Sequence, residues 1–273
     1  MAAFTDLDDL AVVMTGGGAG PIENLWAFTN RYNPPTGSLL TSGNNVLKSM
    51  WGMEGIPGPG SYPGTVTVPT SATDGAIPFT NASGGRQKFI VQAGTFPESS
   101  GVGSGSILYD RLLHLGGLSW TTTSVQTVGG TLTRNTGGEG NQIWIEVDTS
   151  TSCTAGRIIN ATYTNQAGTG SRVTEDLELF NEVSSFGTIY RLPLQAGDTG
   201  VQSVQSVQMA SAGSSGTFAV VVAKPLLVIL NSNQMFYPPW PRIEDDACLA
   251  IALSARAGSF SLPMLFTICT AER

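Results

Sequence analysis

The chain has 273 residues, of which 41% are hydrophobic and only 12% charged, with 34 glycines and a formal net charge of −7. The charged share is roughly half of that usual in soluble globular proteins, and an acidic balance without any Lys/Arg cluster argues against a nucleic-acid partner, which needs a basic face to displace counterions. Three cysteines, Cys153, Cys248 and Cys269, are too few and too scattered for a disulfide framework or a zinc site, so neither metal nor cofactor is expected.

The opening F-T-D-L-D-D-L-A-V-V-M-T-G-G-G-A-G predicts a short amphipathic helix. Asp6, Asp8 and Asp9 sit in its favourable first turn, Phe4, Leu7, Leu10, Val13 and Met14 share one face, and a glycine run ends it. An apolar stripe of this kind wants a partner, either its own domain or a neighbouring subunit. The acidic start is unlike a secretory signal. The longest apolar run, Phe218 to Leu230, is interrupted by Lys224 and Pro225 and is too short to span a bilayer, so no membrane contact is expected.

From Asn24 to Ala82 aromatics and methionines are strung between prolines and glycines, as in M-W-G-M-E-G-I-P-G-P-G-S-Y-P-G. This composition resists helix and central strand alike. It reads as an extended arm lying along another surface, anchored by Trp26, Phe28, Tyr32, Trp51 and Tyr62; a loop-rich flap packed on its own domain fits the composition as well. The chain thus divides into residues 1–83, helix and arm, and residues 84–273, a β-sandwich domain.

Gly84 to Gly94 looks like the first strand of that domain, with Phe89 and Val91 on one face. Further strands are predicted at Thr127–Thr133, Gln142–Val147, Ile158–Thr164, Val173–Leu179, Thr188–Leu194, Val201–Met209, Thr217–Val222, Leu226–Leu230, Cys248–Ser254 and Leu262–Cys269. Many short strands separated by turns such as Q-A-G-T-G-S and S-A-G-S-S-G predict an all-β, antiparallel, jelly-roll-like sandwich. In Val201–Met209 the period is three, which fits a bulged or edge strand. Cys248 and Cys269 lie in two late apolar runs where they could face each other across strands. The proline-rich Q-M-F-Y-P-P-W-P-R reads as an exposed aromatic loop whose Phe236, Tyr237 and Trp240 form a second contact patch.

No G-x-S-x-G elbow, H-E-x-x-H motif or phosphate loop with its lysine is present. Asp110 and His114 invite a catalytic reading, but a lone histidine without a matching nucleophile is more often structural. Glu139, Glu146, Asp148, Glu175, Asp176 and Glu178 could supply a glycosidase pair, though acidic residues in strands and turns are usually solvated. Trp120, Trp144 and Trp240 could stack sugars, while Trp144 in Q-I-W-I-E-V reads rather as core. No catalytic residue is assigned.

The runs Y-D-R-L-L-H-L-G-G-L-S, Q-T-V-G-G-T-L-T-R, T-Y-T-N-Q-A-G-T and R-L-P-L-Q-A-G-D-T-G-V-Q-S-V-Q-S-V, between about Arg86 and Lys224, resemble a group of tailed-bacteriophage virion structural proteins. The opening F-T-D-L-D-D-L and the late D-A-C-L-A-I-A-L match more loosely, and Asn24–Ala82 departs most. The resemblance implies a non-enzymatic decoration or cement protein on the capsid surface of a virion assembled in the host cytoplasm, with the major capsid protein and further copies of itself, a trimer first, as partners. A tail- or fibre-associated module binding host glycans is the alternative, resting on Tyr237 and Trp240.

Overall fold

The computed structural model describes residues 22–29, 46–97, 105–148, 157–179, 186–213, 215–230, 235–236, 238–255 and 264–273, with the side chains of residues 28, 29, 46, 97, 236, 254, 255 and 264 outside the description. In chain order the strands are β1 (Ile22–Thr29), β2 (Val46–Ser49), β3 (Gly55–Ile56), β4 (Val66–Thr67), β5 (Lys88–Pro97) and β6 (Gly105–Ser119). Then come β7 (Gln126–Thr127), β8 (Gln142–Val147), β9 (Arg157–Asn165), β10 (Arg172–Val173), β11 (Leu177–Leu179) and β12 (Thr188–Leu192). The last are β13 (Val201–Met209), β14 (Thr217–Leu230), β15 (Met235–Phe236), β16 (Arg242–Ile243), β17 (Leu249–Ala255) and β18 (Met264–Glu272). The described chain is all-β, its strands pair antiparallel, and it forms a layered, sandwich-like body as the turn spacing predicts.

The middle layer is a sheet that closes on itself. Its order is β14-β8-β12-β2-β17-β6, and β6 pairs back onto β14, leaving β4 as an appendix on β6. Closure depends on the two longest strands. β6 and β14 run together from Gly105–Leu230 to Ser119–Thr217, with three register shifts. Such bulges bend a strand and sharpen its twist, which is what a narrow barrel requires. One of them falls beside Pro225, beyond the stretch Phe218–Ala223 that β8 covers, so the missing N–H of Pro225 costs no bond to β8.

Two smaller sheets flank the barrel. One has the order β15-β5-β18-β1-β3 with β16 also on β5; the other has β10-β9-β13-β7 with β11 also on β9. The alternation of β8 shows how the layers share residues. Ile143, Ile145 and Val147 pack outward with Ile159, Tyr163, Val201, Val204 and Val207 of the β9–β13 sheet, whereas Trp144 faces the barrel interior with Tyr109, Val221 and Ala250. On the other flank Leu108, Leu249, Ile251 and Leu253 meet Leu25, Ile90, Phe266 and Ile268 of the β1–β5–β18 sheet. Each large aliphatic side chain buried this way contributes about 1.5–3 kcal/mol.

β13 reconciles its period of three with a buried face. Register shifts fall between Val201 and Ser203 and between Val204 and Ser206. Each V-Q-S triplet therefore spends one extra residue on a bulge, and Val201, Val204 and Val207 all return inward, buried to 2% exposure or less.

Several expectations need correction. β1 lies between β18 and β3, and β2 lies inside the barrel wall between β12 and β17, so the stretch from Asn24 to Ala82 contributes strands to the body. Strand pairing with the chain's other end overrides its local proline and glycine content. The predicted strands at 217–222 and 226–230 are one. Cys248 belongs to the barrel interior and Cys269 to a cluster with Phe89, Val91 and Ala271 on the opposite side of the β5–β18 sheet, so the two thiols do not face each other; both are free. The predicted helix with Phe4, Leu7 and Leu10, and also Tyr32, Cys153 and Tyr237, lie outside the described residues.

Candidate functional site

Residues 50–64 follow β2 and cover one mouth of the barrel. Trp51 is 3% exposed and inserts among Tyr109, Trp144 and Ala250. Its indole Nε1 donates to Ser61 O at 2.8 Å, and Gly60 N donates to Trp51 O at 2.7 Å, which folds the segment over its own tryptophan. Only glycine permits this closeness at residue 60, where an added Cβ would stand 2.3 Å from the indole. Trp51 and Tyr62, expected to grip another surface, thus turn inward onto the chain's own barrel, because an indole and a phenol gain more from a dry pocket with polar partners than from water.

Beneath this plug lies a buried polar chain. Arg111 Nη1 donates to Glu146 Oε2 at 2.6 Å, and Tyr62 OH donates to Glu146 Oε1 at 3.0 Å. The Arg111 guanidinium stacks on the Trp51 ring with 4.7 Å to the centroid. Its Nη2 lies 2.8 Å from His114 Nδ1, and His114 Nε2 lies 3.0 Å from Pro63 O. Arg111 and Glu146 are each 1% exposed at the side chain. Burial works against the Arg111 charge, but Glu146, Tyr109 and Tyr62 together carry its pKa upward. Burial, then the Arg111 charge, pulls His114 down to about 4. Tyr109 is pushed up to about 12, chiefly by burial.

The two members of the suspected catalytic pair have other work. Asp110 accepts from Arg134 Nη2 at 2.8 Å and from Cys248 N at 2.8 Å through Oδ1, and from Arg134 Nε at 3.0 Å through Oδ2. This bidentate tie, with Arg134 Nη2 also donating to Pro69 O at 2.9 Å, pins the segment after the plug to β6. His114 instead faces Arg111 and Pro63. Among the acidic residues considered for glycan chemistry, Glu146 is in the buried ion pair, Glu139 accepts from Thr199, Asp148 from Thr217 and Asp176 from Asn160. Trp120 and Trp144 are fully buried, which removes them as sugar platforms. Among the described residues, no group of three His, Cys, Asp or Glu side chains is placed to hold a metal ion.

Among the described residues, the surface offers one apolar row. On β1 the alternation Ile22, Asn24, Trp26 faces outward while Leu25 and Ala27 are buried. Trp26 is 54% exposed and Ile22 38%. Ile56 of β3, 60% exposed, stands opposite Phe28 in register and extends the row. Across β18 the directly opposed residues are Ala271, Cys269, Thr267 and Leu265, so this face carries no charge over two strands. Ile22 and Ile56 were missed in sequence; the I-E-N-L-W-A-F-T alternation marks Ile22, while Ile56 needs the register. Of the loop residues, Trp240 is half-buried and packs over the cluster of Phe89, Val91, Cys269 and Ala271, and Phe236 pairs with Ala93 through its backbone. The aromatic loop is therefore partly committed to its own sheet.

No protein-family model and no curated protein matches the chain. Solved structures with a weak likeness include the infectious bursal disease virus Gt strain, at 9% identity over 96% of this chain and 85% of that one with a TM-score of 0.20. The VP2 subviral particle of the same virus gives 9%, 96%, 85% and 0.19, and T=1 particles derived from it give 9%, 96%, 82% and 0.20. The likeness to these viral capsid proteins is loose and carries no argument about fold or role.

Proposed function

We propose that the chain is a non-enzymatic structural protein of a virion, which docks on the major capsid protein and stabilises the head against internal pressure. The observation that carries this reading is the uncharged apolar row Ile22–Trp26–Ile56 on a body whose other described aromatics are largely buried. Exposed tryptophan flanked by aliphatic side chains is the composition of an interface anchor, and the row sits on a paired strand, so little entropy is lost on docking. The resemblance of Arg86–Lys224 to tailed-bacteriophage virion proteins supplies the setting. Repetition on a lattice multiplies weak contacts.

The test uses particles lacking the protein. They are expected to lose their contents at lower temperature and after milder osmotic shock, and added protein should restore both. A W26S/I56S double variant should rebind roughly 30-fold more weakly, the scale for losing one hot-spot side chain. Particles that survive heat and shock equally well without the chain would end this reading.

A further inference from the structure

The polar chain under the plug contains one group whose protonation is dictated by its neighbours. Arg111 has donors only, so His114 Nδ1, 2.8 Å from Arg111 Nη2, must accept. Nε2, 3.0 Å from Pro63 O, must then carry the single proton and donate to that carbonyl. The ring is thus held neutral in one tautomer between a permanent cation on the barrel wall and the backbone of the plug.

We infer that His114 is an acid-operated latch on the barrel plug: a proton on Nδ1 breaks its bond to Arg111 and lifts the Tyr62–Pro63 end of the plug, while the flanking sheets stay closed. Protonation places N–H against N–H and positive charge against positive charge at hydrogen-bond distance. Among the described residues, no carboxylate is free to absorb the new charge. Glu146, the acid in this network, already accepts from Arg111 on Oε2 and from Tyr62 on Oε1. The other groups facing the ring are Tyr62, with its ring centroid 6.2 Å away, the Pro63 carbonyl, and β4, where Thr67 pairs with His114. Tyr109 acts one step further off, through Arg111. The imidazole must leave this setting to become charged, and it cannot leave without releasing Pro63. Backbone crowding makes the release local. An added Cβ on Gly116 would stand 2.0 Å from Pro63 O, so the plug is pressed directly against β6 at this point and has no slack to follow a moving ring. The low value of about 4, set by burial and then by Arg111, agrees in direction.

The experiment follows hydrogen exchange of the full chain between pH 7 and pH 4.5, corrected for the intrinsic rate. Peptides covering residues 58–68 should open roughly 50-fold more readily at the lower pH, the factor expected when a histidine titrates freely only in the open form. Peptides of β9 and β13 should keep their protection. H114Q, which offers a carbonyl and an amide but no titration, should abolish the change. His114 is the only histidine of the chain, so its ring proton signals can be followed without assignment, and their midpoint should coincide with plug opening in the unaltered protein. Unchanged exchange in 58–68 relative to β13 would overturn the latch, as would the same pH response in H114Q. A ring titrating near the ordinary histidine value without plug opening would do so too. All readouts use the free protein, so they stand or fall separately from any binding to a shell.

Discussion

The layer between the barrel and the β9–β13 sheet and the interior of the barrel are equally dry, yet they are built on opposite plans. The layer is closed mainly by aliphatic side chains, Ile143, Ile145, Val147, Ile159, Val201, Val204 and Val207, with Tyr163 and Trp120 as its larger members. The interior holds Arg111, Glu146 and Tyr109 around Trp51 and Trp144. Apolar packing is non-directional and tolerates small rearrangement. A buried ion pair tolerates none, because losing one partner strands the other. The first region makes the fold stable; the second decides which loop may close the barrel and under what conditions.

Removing Glu146 should cost the barrel interior the most. E146A leaves Arg111 charged without its carboxylate and Tyr62 without an acceptor, and should lower unfolding free energy by about 3–5 kcal/mol in urea titration. A loss below about 1 kcal/mol would mean that the pair contributes no more than a surface contact.

A smaller effect comes from Lys48, 2% exposed on β2, whose amine donates to Phe186 O at 3.3 Å and to the Thr188 hydroxyl. Burial lowers it to about 7. Above that value the folded amine is neutral while the unfolded one stays protonated up to the ordinary lysine range, so the unfolded state binds more protons and stability rises with pH. Between pH 7 and 8, below the ordinary range of Cys248 and Tyr109, the gain should be roughly 1 kcal/mol. K48M should flatten that slope, and an unchanged slope would assign it elsewhere.

The smallest change sharpens the contrast from the other side. I145V in the aliphatic layer should cost about 0.5–1.5 kcal/mol, equal at pH 5, 7 and 8, since no Asp, Glu, His or Lys is among the residues of that cluster. A pH-dependent cost would show that the two regions are coupled.

The same contrast explains what could be read from sequence. The aliphatic layer was legible because period two in Gln142–Val147 and period three with bulges in Val201–Met209 are local signals, and the predicted bounds of both match the strands found. The barrel interior was not. Arg111 meets a carboxylate 35 residues away, and Tyr62 reaches the same carboxylate across 84 residues. Nothing in the M-W-G-M-E-G-I-P-G-P-G stretch distinguishes a segment folded over its own tryptophan from one that grips a neighbour. Trp26 and Trp51 illustrate the limit. Both read as anchors of one arm, yet the first is half in water and the second is sealed in. The difference comes from β1 joining the far end of the chain in β18, a pairing across more than 230 residues that composition cannot announce.

Closure by β6 against β14 has a mechanical side. Their antiparallel register runs from one end of each strand to the other, so tension applied along the strands loads the ladder bonds together, in shear. Peeling would break them one at a time, and the neighbours β8 and β17 brace part of each strand against it. A hoop of this kind resists stretching along its seam far better than an open sheet with a free border.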